Sequence, residues 1–238
     1  MSKLRCDKIT KTYKEFTLQP TSFTIESGYL TALIGLNGAG KSTLLRCLSG
    51  LDMNFGGDAN VDGMSLKYDK GDYQNEIGVV SDEITYFMEY SAFENGERLG
   101  RYFKNWSTER YYYFMDRMDF SPSKPLYQLS KGEYMKMQTC FSLAHKPKFL
   151  IMDEPLEGFD PVFRKEFFAI LQDVLNDDTG ILLSSHITES LDTLADYIMI
   201  MKNGMLTIHN DIETLQDALL KGEPFHKFHI KDLLSRDI

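Results

Sequence analysis

The 238-residue sequence predicts an α/β protein: a mostly parallel core of buried strands and helices, with an antiparallel β block before it and a helical insertion within it. Three observations lead there. Apolar runs of strand length recur at 30–34, 149–152, 181–184 and 197–201, with helical stretches between them. The first 30 residues are short segments broken by Gln19-Pro20 and Ser27-Gly28, and Phe23-Thr24-Ile25 alternates, as strands and turns do. From 83 to 127 aromatic residues (Tyr86, Phe87, Tyr90, Phe93, Tyr102, Phe103, Trp106, Tyr111 to Phe114) interleave with charge until Ser121-Pro122-Ser123-Lys124-Pro125 closes the stretch. The expected organisation is one domain over 1–238. It divides into a mainly antiparallel part (1–30), a core (30–82 and 145–221), a helical subdomain (83–144) and a short tail (222–238).

Composition fits this size and restricts the partners. An apolar fraction of 42% supplies a sizeable core. A net charge of −9 and a pI near 5.1 argue against an extended nucleic-acid surface, and no nucleic-acid partner is expected. Cys6, Cys47 and Cys140 are odd in number and widely spaced, which reads as buried free thiols in a reducing cytosol. No run of 18 apolar residues exists, and the first residues lack the apolar stretch of a signal peptide. Any membrane role is expected to come through a partner.

The run at 30–34 is followed by Gly35-Leu36-Asn37-Gly38-Ala39-Gly40-Lys41-Ser42-Thr43, and then by helical spacing in Leu44-Leu45-Arg46-Cys47-Leu48. Strand, glycine-rich loop, Gly-Lys-Ser and helix is the context of a phosphate-binding P-loop. Its glycines let backbone N–H groups approach a phosphate, and the helix start adds unpaired N–H groups and a positive dipole end. Lys41 would reach the β- and γ-phosphates, and Ser42 would sit on Mg²⁺. The expected ligands are a nucleoside triphosphate, which the resemblance below makes ATP, and Mg²⁺.

A second motif, Phe149-Leu150-Ile151-Met152-Asp153-Glu154, is a buried strand ending in two carboxylates. Asp153 would hold Mg²⁺ directly or through water, and Glu154, facing the other way, could polarise an attacking water. A third, Leu129-Ser130-Lys131-Gly132-Glu133, opens a helix running towards Ala144. Ser130 stands at the N-cap, and Gly132 keeps the first turn open for a phosphate.

With these motifs in this order, the chain resembles the ATPase subunits of ABC transporters over about residues 4–215. The P-loop, the signature at 129–133, the strand ending in Asp153-Glu154, Glu157-Gly158-Phe159-Asp160-Pro161 and Ser184-Ser185-His186 occur in family order. The resemblance implies that Tyr13 stacks on adenine, although a strand tyrosine packed in the core is the competing reading. It also implies that Ser130 and Gly132 contact nucleotide held by the opposite subunit, that Asp160 links two sites across a dimer, and that His186 works beside Glu154. A membrane permease, a second ATPase subunit (identical or a paralogue), and a peripheral place on the cytoplasmic face of the membrane follow as expectations. Asn105-Trp106, the Leu-Ser-Lys-Gly signature and Asp160 to Arg164 look most like bacterial exporters of peptides, antimicrobials or drugs.

Three departures from the family pattern follow. Lys131 and Glu133 replace Gly and Gln of the signature. Ser81-Asp82-Glu83 follows Ile77-Gly78-Val79-Val80 where a glutamine is usual, so Asp82 becomes the candidate magnesium-side residue. Leu156 follows Asp-Glu-Pro in place of a small or hydroxylated residue. A soluble ABC ATPase acting on nucleic acid or ribosomes, and a regulatory subunit without transport, are the alternatives.

Overall fold

Alternating burial along Lys3–Thr12 (β1) and Thr17–Glu26 (β2) makes each a half-buried strand, and the two pair antiparallel. The computed structural model describes residues 1–186, 191 and 194–209. Leu30–Ile34 (β3) is buried at every residue and leads through the glycine-rich loop into Lys41–Ser49 (α1). Gly56–Val61 (β4) and Met64–Ser65 (β5) then return to the antiparallel layer. The short helix Lys70–Asn75 (α2) precedes Ile77–Val80 (β6). The insertion carries Ala92–Leu99 (α3), Thr108–Arg117 (α4) and Lys131–Ala144 (α5). Phe149–Asp153 (β7), Pro161–Asn176 (α6), Gly180–Ser185 (β8), Tyr197–Lys202 (β9) and Met205–His209 (β10) complete the described chain.

Two sheets result. One is antiparallel, in the order β2-β1-β4-β5, and the other runs β10-β9-β3-β8-β7-β6. In the second, β9, β3, β8, β7 and β6 are parallel and β10 is an antiparallel edge. The antiparallel layer is therefore not confined to the first 30 residues, because β4, expected in the core, pairs with β1 and β5 pairs with β4. That segment contains Gly56, Gly57 and Asp58, residue types that carry little strand signal. The strands at 149–152, 181–184 and 197–201 appear with one or two more residues each. The expected end of the core at 221 and the tail 222–238 lie outside the described residues.

Successive side chains of the parallel strands point to opposite faces and fill two cores. Leu33, Ile151, Leu182 and Met199 face α1 and the antiparallel sheet. Leu30, Ala32, Ile34, Leu150, Met152, Ile181 and Leu183 face α5, α6 and the insertion. Each buried Leu or Ile contributes about 1.5–3 kcal/mol relative to exposure, and β3, β7 and β8 are buried on both faces.

The insertion adds its aromatics to this second core, where Tyr111 and Phe114 are buried and Trp106, Phe103 and Tyr86 gather around Phe141. Ser91 and Ser107 cap α3 and α4 by accepting from Glu94 and Arg110 N–H groups, which starts both helices. All three cysteines are buried free thiols.

His145, just past α5, is 2% exposed and stacks on Phe103 with ring centroids 4.2 Å apart, and its Nδ1 has no hydrogen-bond partner. Burial pushes its pKa down from 6.5 to about 4. The unfolded chain therefore binds the extra proton first, so this residue's contribution is complete above pH 6.5 and is lost as pH falls to 4. At about 1.4 kcal/mol per pKa unit, the loss is of the order of 3 kcal/mol. His145→Asn is expected to flatten the fall in unfolding free energy between pH 6.5 and 4. Equal slopes for variant and wild type would remove His145 as the cause.

Candidate functional site

Register brings the motifs to one edge of the parallel sheet. Ile34 of β3 lies opposite Ser185 of β8, Asp153 of β7 opposite Ser184, and Val80 of β6 opposite Met152. The glycine-rich loop, His186, Asp153-Glu154 and Ser81-Asp82 thus follow the carboxyl ends of adjacent parallel strands, where α/β sheets bind ligands.

The loop's shape depends on its neighbours. Gly40 caps α1 with φ 111°, and a Cβ there would lie 2.6 Å from Phe16 Cζ, so no other residue fits. Leu36, Asn37 and Gly38 are exposed while Ala39 is buried. No side chain caps α1, so the N–H groups of its first turn, from Lys41, Ser42 and Thr43, point into the loop without an intrahelical partner. Lys41 is 5% exposed, and its Nζ donates to Gly35 O at 2.9 Å and lies 3.3 Å from Glu154 Oε1. A buried ammonium among oxygens at the mouth of an N–H cradle fits a phosphate chain.

Asp153 and Glu154 diverge because Glu154 takes a left-handed backbone conformation, φ 47°. For a residue with a Cβ that geometry costs about 1–3 kcal/mol and persists where the surroundings impose it. Asp153, 8% exposed, accepts from Ser184 Oγ at 2.5 Å. Ser184 Oγ also accepts the Glu154 N–H at 2.9 Å, so one hydroxyl fixes both carboxylate residues. Glu154 Oε2 lies 2.9 Å from His186 Nδ1 and accepts the His186 N–H at 3.2 Å. Burial raises the Asp153 pKa; hydrogen bonds from Ser184 and Ser42 oppose that, and the charges of Glu154 and Asp82 add to it. Ser42, Asp153 and Asp82 therefore offer an all-oxygen donor set with excess negative charge, which fits a hard divalent cation such as Mg²⁺.

Glu83, the other acidic residue of that segment, pairs with Arg46 of α1 at 2.7 Å. Asp82 is left exposed towards Asp153, and Gln138 of α5 fixes its neighbour Ser81 by bonds of 3.2 and 2.6 Å to Ser81 N and O. Tyr13 lies in the turn after β1. It is 44% exposed, its N–H bonds Phe16 O at 2.7 Å, and Lys11 Nζ sits 5.1 Å from its ring centroid. It is not a core tyrosine.

The signature residues are held by their own chain. Ser130 Oγ accepts the Glu133 N–H at 3.2 Å, and Glu133 Oε2 accepts the Ser130 N–H at 2.9 Å, a reciprocal cap that Glu133 supplies as glutamine would. A Cβ on Gly132 would lie 2.7 Å from Gly158 O, so packing alone requires glycine there. Asp160 caps α6, its Oδ1 accepting from Val162 and Phe163 N–H at 2.9 and 3.0 Å.

The family model described as ABC transporter matches residues 18–157. The chain belongs to the ABC transporter family. It is an ATP-binding subunit and an ATPase of that family. It is 29% identical over 218 residues to an uncharacterised ABC transporter ATP-binding protein of Methanocaldococcus jannaschii, covering 90% of this chain and 79% of that one. It is 33% identical to the Nod factor export ATP-binding protein I of Sinorhizobium fredii, covering 88% and 63%. It is 28% identical to the lantibiotic transport ATP-binding protein SrtF of Streptococcus pyogenes, covering 88% and 91%. The ABC fold is equally plain. A solved ATP-binding subunit of an ABC transporter superposes with a TM-score of 0.83 at 22% identity, covering 98% of this chain and 97% of that one. A dimeric cassette bound to ADP and Pi in a post-hydrolysis state gives 0.73 at 20% identity, covering 86% and 98%.

Sequence reasoning on this ABC subunit missed Phe16, which walls the loop at Gly40, and named Ser184 without its role of joining Asp153 to Glu154. A hydroxyl inside an otherwise apolar strand was the signal for Ser184. Nothing in the local sequence marks Phe16, because its contact with Gly40 is made only by the fold.

Proposed function

We propose that this subunit hydrolyses ATP in a site completed by a second ATPase subunit, identical or a paralogue, and drives a separate membrane permease on whose cytoplasmic face it sits. The observation that supports this best is the joining of Lys41, Glu154 and His186 at the end of the P-loop strand. Gly35 to Thr43 cradle the phosphates, and Lys41 neutralises the β- and γ-phosphoryl oxygens. Ser42 and Asp153, with Asp82 beside them, would hold Mg²⁺, which when bound supplies charge neutralisation at the phosphoryl oxygens. Glu154 polarises the attacking water and His186 orients Glu154. Tyr13 offers an exposed ring to adenine. Ser130 and Gly132, at the start of α5, serve the partner's nucleotide, and Asp160 joins the two sites.

The permease reading has a physical counterpart in a cavity of about 290 Å³ between α1, β6 and the insertion. Tyr86, Leu99, Tyr102 and Phe103 line it on one side and Leu51, Ile77 and Val79 on the other, and Tyr102 is 75% exposed. No helix among the described residues is long and apolar enough to cross a membrane. A permease helix seated in this groove would carry motion between the subunits; one relative named for Nod factor export favours export, and one named for lantibiotic transport favours an antimicrobial cargo. Tyr102→Asp is expected to abolish co-purification with the permease and ATP-driven transport while leaving ATP binding intact. Full permease association in that variant would place the docking surface elsewhere.

A further inference from the structure

Lys131, the first helical residue of α5, makes a direct ion pair with Glu157, in the turn after β7. Backbone contact underlies the pair, since Gly132 and Gly158 abut with no room for a side chain. Glu157 is tied to Glu154 by a turn, its N–H donating to Glu154 O at 3.1 Å. The carboxylates of Glu154 and Glu157 and the His186 ring have oxygen and nitrogen atoms within 4.8 Å of one another. Two neighbouring carboxylates repel, and here each is neutralised from its outer side, Glu154 by Lys41 and Glu157 by Lys131.

The pair itself is exposed, at 49% and 37%, and a surface ion pair of this kind adds little stability. Its consequence is local. Without Lys131, the charge of Glu157 would stand uncompensated beside Glu154 and would compete with it for His186. We propose that Lys131 and Glu157 are positioning residues for hydrolysis, holding Glu154 and His186 in register and tying a subunit's signature helix to its own catalytic pair. This rests on the roles given above to Glu154 and His186. Because α5 would act on the partner's nucleotide, the ion pair also bridges the two composite sites within one subunit.

The test measures kcat, KM for ATP and thermal unfolding on full-length Lys131→Met, Glu157→Gln, the double variant and Glu154→Gln. Lys131→Met should lower kcat about fivefold through a broken local coupling, with KM changed by less than about twofold and the melting temperature unmoved. Adding Glu157→Gln should restore most of that rate, because the damaging charge is then gone. A pair that served only packing would show no such recovery. Wild-type kcat in Lys131→Met, or a double variant no faster than Lys131→Met, would overturn the proposal. If Glu154→Gln is inactive in the same series, such a failure belongs to the ion pair alone. Wild-type turnover in Glu154→Gln would overturn both readings.

Discussion

Glu154→Gln should bind ATP and Mg²⁺ but hydrolyse at least about 10²-fold more slowly, within the range for losing general-base help. Glutamine keeps the shape and one hydrogen-bonding oxygen, and it loses the charge and most of the basicity. The groups that bind nucleotide are untouched, since Lys41 still donates to Gly35 O and Asp153 still accepts from Ser184. With ATP no longer consumed, two subunits closed around it should stay closed. Light scattering with ATP–Mg²⁺ should then show the mass moving from one chain towards two. An inactive variant that stays monomeric would point to a paralogue as the partner.

Lys41→Ala should abolish measurable ATP binding while leaving a folded protein. The ammonium is buried and paired with Glu154, so its removal takes away the cation of the phosphate cradle and leaves Glu154 Oε1 unpaired. Glu154 is only half-buried and keeps His186 on Oε2, so the fold should survive the change. Repulsion between that carboxylate and the γ-phosphate would add to the loss. Labelled ATP bound at wild-type strength would remove the loop from the nucleotide site.

Much of this was legible in the sequence because the informative segments are local and extreme in composition. The runs at 30–34, 149–152 and 181–184 are mostly apolar and carry no charge, and each leads directly into a residue type needed at the sheet edge. The antiparallel return at 56–65 was not legible, since Gly56, Gly57 and Asp58 form a strand only because β1 offers them a partner. Tyr13 shows the same limit: its exposure depends on the turn to Phe16, which no local pattern fixes. Lys131 was readable only as a departure at a signature position. Its partner Glu157 lies 26 residues away in sequence and becomes a neighbour through the close backbone approach of Gly132 and Gly158. Glu133 was likewise a departure until its cap with Ser130 came into view.

The central claim is that one cluster at the ends of β3, β7 and β8 both binds ATP and hydrolyses it, with the two tasks resting on different side chains. Equilibrium ATP binding and steady-state turnover, measured together on wild type, Lys41→Ala and Glu154→Gln, test it most directly. The predicted pattern is loss of binding in Lys41→Ala, and binding within about threefold of wild type but turnover nearly abolished in Glu154→Gln. Turnover at the wild-type rate in Glu154→Gln, with ATP bound normally, would contradict it.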